Sequence, residues 1–428
     1  MVEAAGIDLL GILLVLALAL VFGSLAERAG YPAMMGELFA GIVFGPPLLG
    51  LLSPSAGLEV LAELGVFLLM VYVGMEVDMH ELFALGPKAL VVAVGGFLVP
   101  FGLGYGIGAL LGFDVGASLF VGLAMAATSL ATKSRILSDL GLLDTRIAGV
   151  LLGGALVSDV GVLVAFAGVL GYADAGSVNA VELGVVLGQA LAFFAVAFVV
   201  GDRFLPAVWH GVETFRERYG FVTETTAFTV ALVVALVFAE LAHLAGLHAI
   251  IGGFVAGMFI RQADLEPALY DHMEHVVRDL AVGVFAPVFF VTVGFELTLD
   301  VFGSALGTLA LLVAVAFVGK IVGSWLFSLP TGLTSREGLV VGLGMNGRGT
   351  VEIIIASVGL SAGIIDQSLF SMLVFIAIFT TAMVPVTMTW GVRLLDRSGE
   401  LYGADGSTVA LADGGAAGNR DGGGDGER

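Results

Sequence analysis

Apolar runs of about 20 residues recur from the N-terminus to position 394, each separated from the next by a short polar break. Segments of that length cross a bilayer as helices. In lipid the backbone must satisfy its own hydrogen bonds, which leaves only helices and closed barrels. A barrel would show segments of about 10 residues with alternating polarity, whereas the runs here are longer and continuously apolar. The pattern therefore predicts an all-α polytopic membrane protein. Composition agrees, since the 428 residues are 58% hydrophobic and 13% charged, against roughly 25% charged in a soluble domain. The 63 glycines suit close helix packing and helices interrupted at membrane depth. There is no cysteine, which excludes disulfides and thiolate metal sites.

Thirteen spans are expected, at residues 5–23, 32–52, 58–77, 88–111, 115–137, 145–170, 179–203, 225–243, 247–260, 279–296, 304–327, 337–360 and 368–394. The ninth is short, and the twelfth is interrupted by Asn346-Gly347-Arg348-Gly349. The first lacks a basic leader and a cleavage site, and reads as a retained span. Basic residues test the count independently, because cytoplasmic loops hold them and external loops do not. Arg28; Lys88; Lys133, Arg135 and Arg146; Arg203, Arg216 and Arg218; Arg261 and Arg278; and Arg336 all follow odd-numbered spans, and no even-numbered span is followed by one. The N-terminus is then outside and the C-terminus cytoplasmic, in a multi-pass protein of the cell membrane. With Arg393, Arg397, Arg420 and Arg428 added, 15 of the 17 basic residues are placed; Lys320 and Arg348 remain, inside spans eleven and twelve.

The membrane domain is expected to fill residues 1–396. Residues 397–428 form an acidic, glycine-rich tail that cannot bury a core and is expected to be disordered. Much of the net charge of −20 lies in this tail and in loops. It fits solvation in a salt-rich cytoplasm and argues against nucleic acid, which needs a basic partner.

An internal repeat runs through the chain. Val73-Gly74-Met75-Glu76-Val77-Asp78-Met79 resembles Val293-Gly294-Phe295-Glu296-Leu297-Thr298-Leu299, and Val121-Gly122-Leu123-Ala124-Met125 resembles Val341-Gly342-Leu343-Gly344-Met345, both at an offset of 220. Phe39-Ala40-Gly41-Ile42 has a weaker counterpart near Phe254-Val255-Ala256-Gly257. The matched spans stand seven apart, so the two copies should cross the membrane in opposite directions, as in secondary transporters built from inverted repeats.

The offset sets Thr128 opposite Arg348. Ala126-Ala127-Thr128-Ser129 and Asn346-Gly347-Arg348-Gly349 are both poor helix sequences at membrane depth. Irregular backbone is tolerated there only in a cavity or inside protein, where broken ends offer carbonyls to cations. Two such breaks, related by the inverted repeat, predict an ion site near the bilayer midplane, with packing as the plain alternative. On the next span, Leu151–Phe166 carries one acid, Asp159, near its middle. An Asp at the centre of a membrane helix costs about 2.5–3.5 kcal/mol, so it calls for a function. A single carboxylate holds either a proton or a monovalent cation such as Na⁺ or K⁺. Competition between the two is itself an exchange mechanism.

The remaining intramembrane charges divide. Lys320 either snorkels to the cytoplasmic surface or turns inward as a counter-charge. Arg348 keeps its proton and needs an anion, which Glu352 at i+4 supplies as a structural pair. Glu37 and Glu63 read as structural or access-path acids. His243 and His248 flank an external turn and are too few for a metal site. No nucleotide loop, nucleophile elbow or zinc spacing is present, so neither an enzyme nor a cofactor is indicated.

These residues carry a family resemblance. Ala33-Met34-Met35-Gly36-Glu37-Leu38-Phe39-Ala40-Gly41-Ile42 with Gly45-Pro46, Leu64-Gly65-Val66-Phe67-Leu68-Leu69 with Val73-Gly74-Met75-Glu76, Ala127-Thr128-Ser129, Ser158-Asp159 and Asn346-Gly347-Arg348-Gly349 together resemble the monovalent cation:proton antiporter-2 family, with its sodium/hydrogen exchanger domain. The resemblance covers residues 5–394. It implies a homodimer, each protomer having a dimerisation domain and a core of six helices, with two broken crossing helices, that shifts like an elevator. It implies Asp159 as the transport aspartate, Thr128 and Ser129 as the first crossover, and Lys320 as the core lysine of electrogenic members. One departure stands out. Electrogenic members have two acids, and electroneutral ones Asn-Asp, where this chain has Ser158-Asp159. One carboxylate favours a 1:1, electroneutral exchange, although Lys320 could release a second proton. The alternative within the resemblance is a Kef-type potassium efflux channel. Such channels usually add a nucleotide-binding GxGxxG domain, which this sequence lacks. A sodium-coupled organic-anion symporter would want more polar pocket residues.

Overall fold

The computed structural model describes residues 8–77, 87–129, 145–175, 224–262 and 267–398, with isolated residues between 133 and 143 and between 188 and 214, and Tyr402. Among the described residues every regular element is helical: α1 (Leu9–Arg28), α2 (Ala33–Phe44), α3 (Ala56–Glu76), α4 (Pro87–Leu110), α5 (Val115–Ala126), α6 (Arg146–Ala175), α7 (Glu224–Leu244), α8 (Ala249–Arg261), α9 (Pro267–Leu280), α10 (Ala286–Glu296), α11 (Val301–Ser304), α12 (Leu306–Ser328), α13 (Ser335–Gly344), α14 (Thr350–Ser361) and α15 (Gln367–Ser398). A π-helical turn, Ala281–Phe285, joins α9 to α10.

Eight of the described helical stretches are long and apolar enough to cross a membrane, and α2, α5, α8 and α14 are shorter apolar helices. Helices occupy twelve of the thirteen expected spans. The seventh, 179–203, falls largely outside the described residues, as does the tail beyond Ser398 apart from Tyr402. The shortness of α5, α13 and α14 has a local cause. Each stops or starts at one of the two sequences singled out as poor helix formers. Apolar side chains such as Leu9, Leu13, Leu20 and Leu25 of α1 face outward, a surface that suits lipid and not water.

The 220-residue spacing seen in the sequence recurs in the structure. Val115 and Ser335, which open α5 and α13, are 220 residues apart, and the starts of α4 and α12, and of α6 and α15, agree with that spacing within one residue. The packing repeats with it. A Cβ on Gly122 would stand 2.8 Å from the Phe101 carbonyl oxygen, and one on Gly342 would stand 2.7 Å from that of Ile321. Likewise Gly74 of α3 lies against Gly257 of α8, and Gly294 of α10 against Gly41 of α2. Each pair lets two backbones touch where any side chain would hold them apart.

These crossings make a stability prediction. A Cβ on Gly74 would collide with the Phe254 carbonyl, and one on Gly257 with the Val71 carbonyl. Gly74→Ala and Gly257→Ala should each cost about 1–3 kcal/mol through overpacking. Gly57, with open space around it, provides the control. Gly57→Ala should be neutral or stabilising, because alanine is the better helix former. Thermal melting in detergent reads the difference, and equal melting of all three variants would contradict it.

Candidate functional site

Helix α5 ends at Ala126, and the chain is non-helical through Ser129. Helix α13 ends at Gly344, and α14 begins at Thr350 after a second irregular stretch. A helix end leaves its last carbonyls without intrahelical donors, and burial makes that costly. Each break meets the need from the other. Thr128 Oγ1 lies 3.3 Å from the carbonyl oxygens of Met345 and Gly347 and donates to them, and Ser129 N donates to Gly347 O at 3.0 Å. In return, Arg348 donates to the carbonyls of Ala124 and Met125, the latter at 3.1 Å, and Lys320 Nζ donates to that of Ala126. Two cations thus cap the negative end of α5. The breaks touch closely enough that a Cβ on Gly349 would come within 2.6 Å of Ser129 Cβ.

Arg348 and Lys320 are both 0% exposed. Of the two orientations open to Lys320, the structure has the inward one. Arg348 also reaches Glu352 Oε1 at 3.2 Å, one turn into α14, where the helix N-terminus adds its own positive end. The expected i+4 pair is therefore present and wholly buried. Its backbone is held by a residue that no sequence argument singled out: Thr381 of α15 accepts from Arg348 N at 3.0 Å and donates to Arg348 O at 3.1 Å. Nothing distinguishes one threonine in an apolar helix, so the sequence held no signal for it. Asn346 turns back on its own helix and donates to Gly342 O at 3.3 Å.

Asp159 lies on α6, which packs against α5, α13 and α14. It is 9% exposed and acts electrostatically on both Lys320 and Lys133. Its neighbour Ser158 is buried, and among the described residues its hydroxyl has no hydrogen-bond partner. The predicted site residues Thr128, Ser129, Lys320, Arg348, Glu352 and Asp159 thus gather at one place.

Lys133 requires a correction. The loop count assigns it to the cytoplasm with Arg135 and Arg146, but it is 0% exposed. Its Nζ donates to Thr128 Oγ1, to Ser129 O at 2.8 Å and to Gly347 O at 3.3 Å. Of the other basic residues of that count that are described, Arg28, Lys88, Arg203, Arg261, Arg278 and Arg336 are exposed, and Arg146 is half-buried and donates to Gly332 O at 2.6 Å. Two observations could have flagged Lys133. The expected span 115–137 contains it, and it follows Ser129 by one helical turn.

The other singled-out residues stand apart. Glu37 is buried between α1 and α2 against Gly23, while Glu63 is exposed on α3. His248 is the N-cap of α8, its Nδ1 accepting from Ile250 N at 3.4 Å. Among the described residues no group of three or more His, Cys, Asp or Glu side chains gathers as a metal site would require.

Around the breaks, then, neutral oxygens and carbonyls converge beside one acid, within a shell of buried cations. Known proteins resemble this one at the scale of the whole chain. Residues 13–393 match the family model described as sodium/hydrogen exchanger, transmembrane. The Na(+)/H(+)-K(+) antiporter GerN of Bacillus cereus is 33% identical over 377 residues, which cover 88% of this chain and 94% of that one. A Na(+)/H(+) antiporter of Enterococcus hirae is 28% identical over 384 residues, covering 90% of this chain and 98% of that one. The structure of the sodium proton antiporter MjNhaP1 from Methanocaldococcus jannaschii at pH 8 aligns with a TM-score of 0.67 at 18% identity, covering 90% of this chain and 97% of that one, so the fold is shared. On a family match that takes in nearly the whole membrane region, the chain belongs to the sodium/hydrogen exchanger family of monovalent cation:proton antiporters.

Proposed function

We propose that this protein exchanges a monovalent cation, Na⁺ or K⁺, for protons across the cell membrane by alternating access at Asp159. The observation that carries the proposal is the setting of that acid. It is a buried carboxylate on a helix packed against both breaks, where Thr128 and backbone carbonyls present oxygens from two directions. Asp159 and Thr128 would hold the cation, Ser158 and Ser129 lie at its edge, and a proton takes the same carboxylate when the cation leaves. Lys320 and the Arg348–Glu352 pair hold the breaks together and supply counter-charge. The names of the similar antiporters from Bacillus and Enterococcus support this class of transport.

The recurrence of helix starts and glycine contacts at one spacing supports an inverted-topology repeat within thirteen spans. In this arrangement the N-terminus is outside and the C-terminus cytoplasmic, residues 1–396 form the membrane domain with 397–428 as its tail, and two protomers assemble as a homodimer.

One acid beside Ser158 makes the exchange 1:1, so turnover moves no net charge. Everted vesicles test the activity: adding NaCl or KCl to vesicles acidified by respiration should release protons, and choline chloride should not. In proteoliposomes a voltage-sensitive dye should then report no potential generated by turnover. A turnover-dependent potential would exclude the electroneutral stoichiometry, and cation movement without proton release would exclude exchange.

A further inference from the structure

Lys133 has no part in the exchange as set out above, yet its ammonium sits among the oxygens best suited to a cation. Three donors on Nζ meet three acceptors: the Thr128 hydroxyl, the Ser129 carbonyl and the Gly347 carbonyl. These come from both breaks, and all are the neutral oxygens that a dehydrated Na⁺ or K⁺ takes from unwound helices. Asp159 acts on the same ammonium, so the acid that would attract a transported cation also attracts this one.

We infer that Lys133 is a tethered competitor, whose ammonium fills the cation position between the breaks and must swing out before a transported cation can enter. The inference rests on the exchanger reading and adds to it a residue that sets cation affinity. Two like charges cannot share three oxygens, so occupancy by Lys133 and by a free cation exclude each other. The tether also has a use. Without a cation, the ammonium supplies a donor to the Ser129 carbonyl and adds one to the Gly347 carbonyl, which also accepts from Ser129 N and Thr128 Oγ1. Lysine suits the task because its compact charge rides on a flexible stem of four carbons that can withdraw.

The competing explanation is a staple that merely ties the two breaks together. The two differ in sign. Removing a competitor strengthens cation binding, whereas removing a staple weakens or abolishes it. The test uses the full chain with Lys133→Met and Lys133→Gln, the latter keeping an amide that can still donate to the carbonyls if the former fails to fold. Half-saturating NaCl and KCl concentrations are read twice, from proton exchange in proteoliposomes and from cation-dependent thermal stabilisation of the purified protein, with choline chloride as the ionic control. If the ammonium holds the position about nine-tenths of the time, both readouts should shift about tenfold toward lower concentration. Half-saturation that is unchanged or raised in Lys133→Gln, with exchange intact in the wild type, overturns the inference and leaves the exchanger reading standing. A wild type that moves no protons with either salt and gains no stability from it overturns both.

Discussion

Asp159→Asn should eliminate cation-driven proton release in everted vesicles while leaving the protein folded and in the membrane. The change keeps the size of the side chain and removes only its charge. Unit charges about 3 Å apart attract by roughly 5 kcal/mol at an effective dielectric of 20, so loss of the carboxylate should weaken cation binding by at least about 100-fold. An amide also cannot pick up and release the proton that completes the cycle. Melting of the purified variant in detergent checks that the fold is kept, since the amide has nearly the same shape and volume as the carboxylate. Unchanged exchange in this variant would remove Asp159 from the mechanism.

The second large effect falls on stability. Arg348→Ala should lower it by about 3–5 kcal/mol, the usual consequence of removing one member of a buried ion pair. The loss has three sources on this molecule: Glu352 loses its partner, and the Ala124 and Met125 carbonyls at the end of α5 lose their donor. Glu352→Gln leaves the Arg348 charge uncompensated but should cost less, since an amide oxygen still accepts from the guanidinium and the Ala124 and Met125 carbonyls keep their donor. Melting of the purified variants, with the double variant to close the cycle, separates the pair from the carbonyl contacts. Equal, small losses for Arg348→Ala and Glu352→Gln would show that Arg348 does not hold the first break.

Much of this site could be read from residue order because membrane burial makes charge conspicuous. Asp159, Lys320 and Arg348 stand out in apolar helices without any structure, and the i+4 spacing alone pairs Arg348 with Glu352. The 220-residue offset was legible for a different reason. Close helix crossings demand glycine, so Gly74, Gly122, Gly294 and Gly342 are fixed at both copies of the same contact. Lys133 was hidden by the loop-counting rule itself. A count of basic residues assumes that a lysine near a polar break is solvated, and here the break itself is buried, so the carbonyls that would have met water meet Lys133 instead. Thr381 was hidden because its role is to hold backbone in the irregular stretch, and a hydroxyl that bonds backbone looks the same in sequence as one that bonds its own helix.

In the proposed exchange a proton and a metal cation compete for one carboxylate between the two breaks. Its most direct measurement is the half-saturating Na⁺ or K⁺ concentration for exchange as a function of pH. Competition predicts that this concentration rises by about tenfold for each unit of falling pH on the acid side, with the maximal rate unchanged, because each added proton occupies the group the cation needs. A half-saturating concentration that stays constant with pH while the maximal rate alone falls would mean separate proton and cation sites, and would contradict the account.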